Sequence, residues 1–411
     1  MTSTTPTPAK GPGFAEFVCL IAIMMALNAL AIDAMLPALP AIGADLGVVN
    51  ENTRQWVITA YLLGFGVAQL AYGPLSDRFG RKPILMVGIG IYVAFSVVAA
   101  FSHTFAVLLL ARVGMGIGVA ATRVLAVSIV RDRYEGRTMA RVMSLSFLVF
   151  LGIPIIAPTV GQLVLLVGPW QWIFWVFALF GTSFMVWAAI RLPETLHPDD
   201  RREIRFAPIA QAFRYALTNR QAMLAMTFVI GGLFGFINSS QQIFFDVFEQ
   251  PQLFTIVFAL VACGIAVSSL LNSQLVERLG SRLISHSALI GFIVFSIIHA
   301  VIALSGHDNI WTFSILQGCK MFCFGLVAGN FGSMAMEPMG HIAGTASSVQ
   351  GFISTIGGAG LGFFIGQSFD RTTVPLTLGF AILSSVALLL VLWAERGRLF
   401  KARHSHQQPV T

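Results

Sequence analysis

Charge is what this sequence has least of. Asp, Glu, Lys and Arg together make up 10% of its 411 residues, against 56% for the apolar types. A water-soluble chain could not keep that much apolar surface off its outside, so for most of this one the solvent is lipid. Cysteine is nearly absent too. Cys19, Cys263, Cys319 and Cys323 all fall within apolar runs, and no histidine stands at ligand spacing from the Cys-x-x-x-Cys pair at 319 and 323. That argues against a disulfide framework and against any metal or redox site. No Gly-x-x-x-x-Gly-Lys-Ser/Thr loop occurs, so ATP is not the energy source and no cofactor is expected. The lack of a His-Glu-x-x-His motif, a Gly-x-Ser-x-Gly motif or a membrane-embedded Asp pair argues against an enzyme.

Present instead are twelve apolar segments long enough to cross a bilayer: Phe17–Leu36, Trp56–Leu75, Pro83–Phe101, Phe105–Val130, Val142–Val167, Trp170–Leu192, Ala222–Phe248, Phe254–Val276, Leu283–Leu304, Ile310–Met336, Ile342–Phe369 and Pro375–Trp393. The first is too long for a signal-peptide core, carries Asp33 and lacks a small-residue cleavage site, so it is read as a spanning helix of the mature chain. The net charge of +7 does not point to nucleic acid, because the basic residues sit in short loops on alternate sides of the spans. Of the 25 Lys and Arg residues, only Arg54 and Arg371 fall on one side, and Arg112, Arg123 and Lys320 lie within spans; the rest share the side of both termini. The positive-inside rule makes that side cytoplasmic. The expected plan is a disordered 1–13, a six-helix bundle at 14–192, a cytoplasmic linker at 193–220 with a surface helix near Pro208–Arg214, a second six-helix bundle at 221–395, and a cytoplasmic tail at 396–411.

Internal echoes support a duplication. Gly73–Pro83 reads G-P-L-S-D-R-F-G-R-K-P and Ser273–Arg282 reads S-Q-L-V-E-R-L-G-S-R, so Leu75, Asp77, Arg78 and Gly80 meet Leu275, Glu277, Arg278 and Gly280. Gly161-Gln162 and Gly366-Gln367 repeat late in the fifth and eleventh spans. Paired repeats with a site between them near the bilayer midplane are a secondary-transporter architecture. The first loop resembles the signature of the major facilitator superfamily. Arg112 with Gly114, Gly116 and Gly118 resembles the second signature of its drug:proton antiporters, and Gly152, Pro154, Ala157, Pro158, Gly161 and Gln162 resemble a weakened third one. Asp33-Ala-Met-Leu-Pro-Ala-Leu-Pro, Ile129-Val-Arg-Asp and Gly168-Pro-Trp-Gln-Trp-Ile-Phe look like the bicyclomycin/chloramphenicol-efflux (Bcr/CflA-like) branch. The resemblance implies an all-α membrane protein, with twelve transmembrane helices in two six-helix repeats around a central cavity lined by helices 1, 4, 7 and 10. It also implies that Asp77, Arg81 and Asp132 form a charge cluster locking the outward-facing state. Read physically, Gly73 lets helix 2 approach a partner closely and Gly80 supplies a turn conformation that other residues resist.

Ionisable side chains at membrane depth are costly and therefore candidates for function. Four stand out: Asp33 in helix 1, Arg112 and Arg123 in helix 4, and Lys320 in helix 10. Helix 7 adds Asn238, Ser239, Ser240, Gln241 and Gln242 and reaches Asp246, and helix 1 adds Asn28. Asp33 and Arg112 share one half of the membrane and are read as a proton-coupling pair, since burial and a nearby guanidinium act oppositely on a carboxyl. Arg123 lies roughly 16 Å further along helix 4, with Glu16 as a possible counterion. Asn28, Arg112, Arg123, Asn238, Gln241, Gln242 and Lys320 are the expected substrate cavity. Its three cations favour anionic or zwitterionic solutes. Gly73, Asp77, Arg81 and Asp132 are the expected gate. The reading that follows is a proton-driven exporter of small amphiphilic compounds or drugs in a bacterial inner membrane, conferring multidrug and antibiotic resistance. A proton symporter importing an anionic metabolite is the alternative. The expected partners are a small-molecule substrate, protons and the lipid bilayer, with the protein a monomer.

Overall fold

The computed structural model describes residues 11–201, 214, 220–336, 343–395 and 397–400. The expected surface helix near 208–214, the tail beyond residue 400 and most of the first 13 residues lie outside the described residues. Among those described, twelve helices are long and apolar enough to cross a membrane. They are α1 (Phe14–Asp33), α2 (Trp56–Phe79), α3 (Arg81–Ala100), α4 (Phe105–Arg133), α5 (Gly136–Val167), α6 (Gln171–Arg191), α7 (Arg220–Gln242), α8 (Pro251–Leu279), α9 (Ser281–Leu304), α10 (Ile310–Met336), α11 (Ala343–Gln367) and α12 (Val374–Ala394).

Two ends depart from the apolar pattern. α1 stops at Asp33, three residues before the sequence predicts, because Pro37 and Pro40 withhold the N–H groups a continuous helix needs; the chain continues through a 3₁₀ turn, Leu36–Ala38, into a short helix, Leu39–Asp45. α7 passes at Gln242 into a π-helical turn, Ile243–Val247, a geometry frequent at functional sites.

Four helix pairings recur in the two halves. α1 packs on α5, α2 on α4, α3 on α4 and α3 on α6; correspondingly α7 packs on α11, α8 on α10, α9 on α10 and α9 on α12. The halves meet along α2–α11 and α5–α8. The turns that the sequence marked as echoes have the same backbone. Gly80 and Gly280 both take a positive φ, 104° and 79°, where a β-carbon would be strained.

Each turn is also gripped by a carboxylate that follows its half's sixth helix. Glu194 accepts the backbone N–H of Arg81 at 2.9 Å and of Lys82 at 3.2 Å, two of the unpaired donors at the start of α3. Glu395 pairs with Arg282 at 3.2 Å. Both links join residues 113 apart in the chain. We call the face holding these turns the terminal face, and the opposite one, holding residues 46–55 and 305–309, the distal face.

Candidate functional site

Arg112 sits where α1, α2 and α4 converge, and it is fully buried. The helices come this close because Gly116 and Gly118 turn bare backbone to Tyr61 on α2 and Tyr92 on α3. Arg112 donates from Nε to the carbonyl of Val57 at 2.9 Å and from Nη1 to that of Ala31 at 3.0 Å. Its guanidinium lies 4.5 Å from the ring centroid of Tyr61, and the Tyr61 hydroxyl donates to Oδ1 of Asn28 at 2.9 Å. Arg112 thus ties three helices together through carbonyls and a π face.

The expected Asp33–Arg112 ion pair is not formed. Arg112 spends its hydrogen bonds on backbone carbonyls that the last turn of α1 and the first turn of α2 present to it. Asp33, 5% exposed, has no ion-pair or hydrogen-bond partner for its carboxyl among the described residues. It stands at the end of α1, beside the bend that packs against α7.

At the distal face the halves are sealed by amides. Gln55 donates to Gln242 at 2.6 Å and to the carbonyl of Gly366 at 2.9 Å. Gln242 donates to Asn52 at 2.9 Å, and Asn52 to the carbonyls of Gln367 and Phe369, both at 3.0 Å. Gln367 returns a bond to the carbonyl of Asn52 at 2.7 Å. Outside these, Arg371 pairs with Glu51 at 2.7 Å, and Trp56 packs on Phe363 with centroids 4.4 Å apart. Every one of these links crosses from one half to the other, so the distal face is closed. Sequence reasoning found Gln242 but passed over Asn52 and Gln55 as loop residues and used Gln367 only as a repeat marker.

Arg123 lies eleven residues beyond Arg112, about three turns, and so shares its face of α4, the face turned to α1 and α2. Arg112 is buried there and Arg123 is exposed. Arg123 has no partner among the described residues, and Glu16 is not its counterion. Glu16 is held bidentately by Arg191, both contacts 2.6 Å, because α6 ends against the start of α1 at the same level.

The other expected cavity residues divide. Asn238 and Gln241 are buried, with unpartnered amide atoms, on the part of α7 below the seal; Asn28 is partly exposed and Asp246 half-buried in the π turn. Lys320 is fully buried, and its Nζ lies 4.1 Å from the ring centroid of Phe380 on α12, inside the C-terminal half. Of the three cations expected to line the cavity, only Arg123 is exposed in this state, so the reading of a three-cation cavity fails on side-chain direction.

At the terminal face Arg81 brings the expected cluster together, meeting Asp132 at 2.9 Å and Asp77 at 2.5 Å and donating to Ser76 at 2.7 Å. The cluster lies within one half and forms while the distal face is closed. A β-carbon on Gly73 would stand 3.5 Å from Ser348 Oγ on α11, an ordinary contact; the tight crossing is at Gly351, where it would collide with Gln69 on α2.

Two helical halves of membrane-spanning length, packed together and sealed to each other at the distal face, define a membrane transporter. The chain belongs to the Major Facilitator Superfamily, which it matches over residues 21–362. It is 29% identical over 391 residues to the multidrug resistance protein MdtL of Escherichia fergusonii, covering 93% of this chain and 96% of that one. It is 27% identical over 379 residues to a bicyclomycin resistance protein homolog of Haemophilus influenzae, covering 90% and 94%. Among solved structures, the xylose transporter XylE of E. coli in a partially occluded inward-open conformation shares the fold, with a TM-score of 0.71 over 95% of this chain and 100% of that one at 11% identity. Family and relatives agree with the reading of the loop and helix 4 motifs.

Proposed function

We propose that the protein is a proton-coupled exporter of small amphiphilic compounds, working by alternating access as residues 14–192 and 221–395 rock against each other in a bacterial cytoplasmic membrane. One observation carries this reading: Asp33 lies buried, without a partner, at the end of α1 in the distal part of the molecule. A carboxyl held ionised at that depth costs several kcal/mol unless wetted or paired. Any movement that breaks the amide seal and admits water, or brings a solute against Asp33, changes that cost and moves a proton. Arg112 supports the site as a positioning residue, fixing the bend after α1 through Ala31 and the start of α2 through Val57. The relatives named for bicyclomycin and multidrug resistance support the direction of transport and the class of solute. The basic residues gathered at the terminal face support its assignment to the cytoplasm, which makes the present state inward-facing.

Arg123 favours a solute carrying at least one negative charge, since an exposed, unpartnered guanidinium in a membrane cleft is best met by a carboxylate or phosphate. The test is uptake into everted vesicles under an imposed pH gradient, across cationic, neutral and anionic compounds. Uptake of amphiphiles, abolished when the gradient is collapsed, is expected; uptake only in right-side-out vesicles would instead establish the symporter.

A further inference from the structure

A second row of buried polar side chains runs through the C-terminal half, away from Asp33 and from the interface between the halves. It begins at the distal face, where Asp308, just ahead of α10, turns a side chain of 5% exposure inward. Its Oδ2 accepts the Thr373 hydroxyl at 2.6 Å and lies 3.1 Å from Nε2 of His299 on α9. Phe313 packs edge-on to that imidazole, centroids 5.3 Å apart. On α10, Phe313, Gln317 and Lys320 follow at i, i+4 and i+7 and share one face; Phe292, Ser296 and His299 do the same on α9, and Thr373, Thr377 and Phe380 along α12. Lys320 ends the row, about 15 Å in from the start of α10, beneath Phe380, whose ring meets Phe292 at 5.7 Å.

The polar atoms of this row are not satisfied by one another. Nδ1 of His299, Oδ1 of Asp308, both amide atoms of Gln317 and Nζ of Lys320 are buried without a hydrogen-bond partner. Buried polar atoms are nearly always partnered, and five orphans on one line at membrane depth are expensive for a purely structural element. Other charges stand at the ends of the surrounding helices: α11 and α12 carry no ionisable side chain on their described spans, α7 carries none between Met223 and Asp246 beyond its end, Glu277 and Arg278 of α8 and Arg282 and His286 of α9 lie toward the terminal face, and Asp370 and Arg371 are exposed ahead of Thr373. The thiols of Cys319 and Cys323 are on α10 itself and Cys263 on α8, and His307 at the surface lies 3.2 Å from Ser305.

We propose that Asp308, His299, Gln317 and Lys320 form a second proton-binding site, fed from the distal face. A proton from bulk water reaches the Asp308–His299 pair and is relayed past the Gln317 amide, through water held there, to the Lys320 amine; it leaves by the same path. One proton moves and no covalent bond other than its own changes. The site does not depend on Asp33 or on the solute.

The test is a pH titration of ring-labelled histidine by NMR, on the full chain in lipid nanodiscs. The chain has 8 histidines, so the His299 signal is assigned by its loss in His299→Gln. Its chemical shift should change as pH is varied. Its midpoint should move by about one pH unit, tenfold in proton affinity, in Lys320→Met and in Asp308→Asn, in opposite senses. Lys320→Arg should leave it near the wild-type value. A His299 signal that does not titrate, or one whose midpoint is the same in whichever neighbour variants fold, overturns the proposal. The measurement needs no solute and is repeated in Asp33→Asn, where the titration should persist; proton coupling at Asp33 and this site therefore stand or fall separately.

Discussion

Seven residues into α4 stands Arg112, and seven residues into α10, its counterpart in the second half, stands Gln317, with Lys320 one turn deeper. In the N-terminal half the buried cation is held by two carbonyls and a tyrosine ring, with only Nη2 unpartnered, while the Asp33 carboxyl is left alone. In the C-terminal half the carboxylate is paired with a histidine and a threonine, and the cation has the Phe380 ring but no hydrogen bond. The halves share a scaffold, down to the glycine turns and the 113-residue span of their carboxylate links. A duplicated fold preserves helix pairings and turns; which buried group is left free to take up or release a proton is decided independently in each copy.

The largest effect that would break this contrast is at Asp33. Asp33→Asn should abolish gradient-driven transport while solute binding or exchange stays measurable, since hydrogen-bonding shape is kept and only the exchangeable proton is lost; full proton-coupled transport in that variant removes Asp33 from the mechanism. Next comes the pair of cations. Arg112→Lys cannot reach both carbonyls while covering Tyr61 and should cost about 2 kcal/mol or more, seen as a lowered unfolding temperature in detergent. Lys320→Met replaces an unpartnered buried amine with an apolar chain of similar volume and should leave stability unchanged or raised. The opposite order of these two results would mean the halves treat their cations alike.

The junction between the halves gives a smaller effect. Gly351→Leu should slow transport more than Gly73→Leu at equal membrane abundance, because the β-carbon at 351 meets Gln69 directly while that at 73 has room; the reverse order would place the tight crossing at the terminal loop. Smallest is Arg123→Ala, which should shift the anion-to-cation preference by roughly tenfold, about 1.4 kcal/mol of contact. An unchanged preference in a well-folded variant would end the case for anionic solutes.

Twelve spans and the glycine turn were legible in the sequence because apolar length and positive-φ glycine are local signals. Arg81, Asp77 and Asp132 were legible only through the family resemblance of the loop. Side-chain direction was not. Arg112 and Arg123 lie on one face of α4, yet the convergence of α1 and α2 buries the first and spares the second. Lys320 was found by its charge, but nothing local tells that it points to α12. His299 escaped notice because it is formally neutral, and Asp308 because it reads as a loop residue. The Glu16–Arg191 pair joins residues 175 apart, beyond what periodicity reports. Echo-reading could have reached Glu194 and Glu395, since each is an early acidic residue after a sixth helix.

Those two carboxylates also set an order of manufacture. The start of α3 keeps its bare N–H groups until Glu194 has been synthesised, 113 residues later, and by then all six helices of the first half are in place and α7 has not begun. In the second half it is the Arg282 side chain that waits for Glu395, 113 residues later. On the ribosome each bundle is therefore fastened by almost the last thing made in it, so the first half can finish as a closed unit while the second does not yet exist.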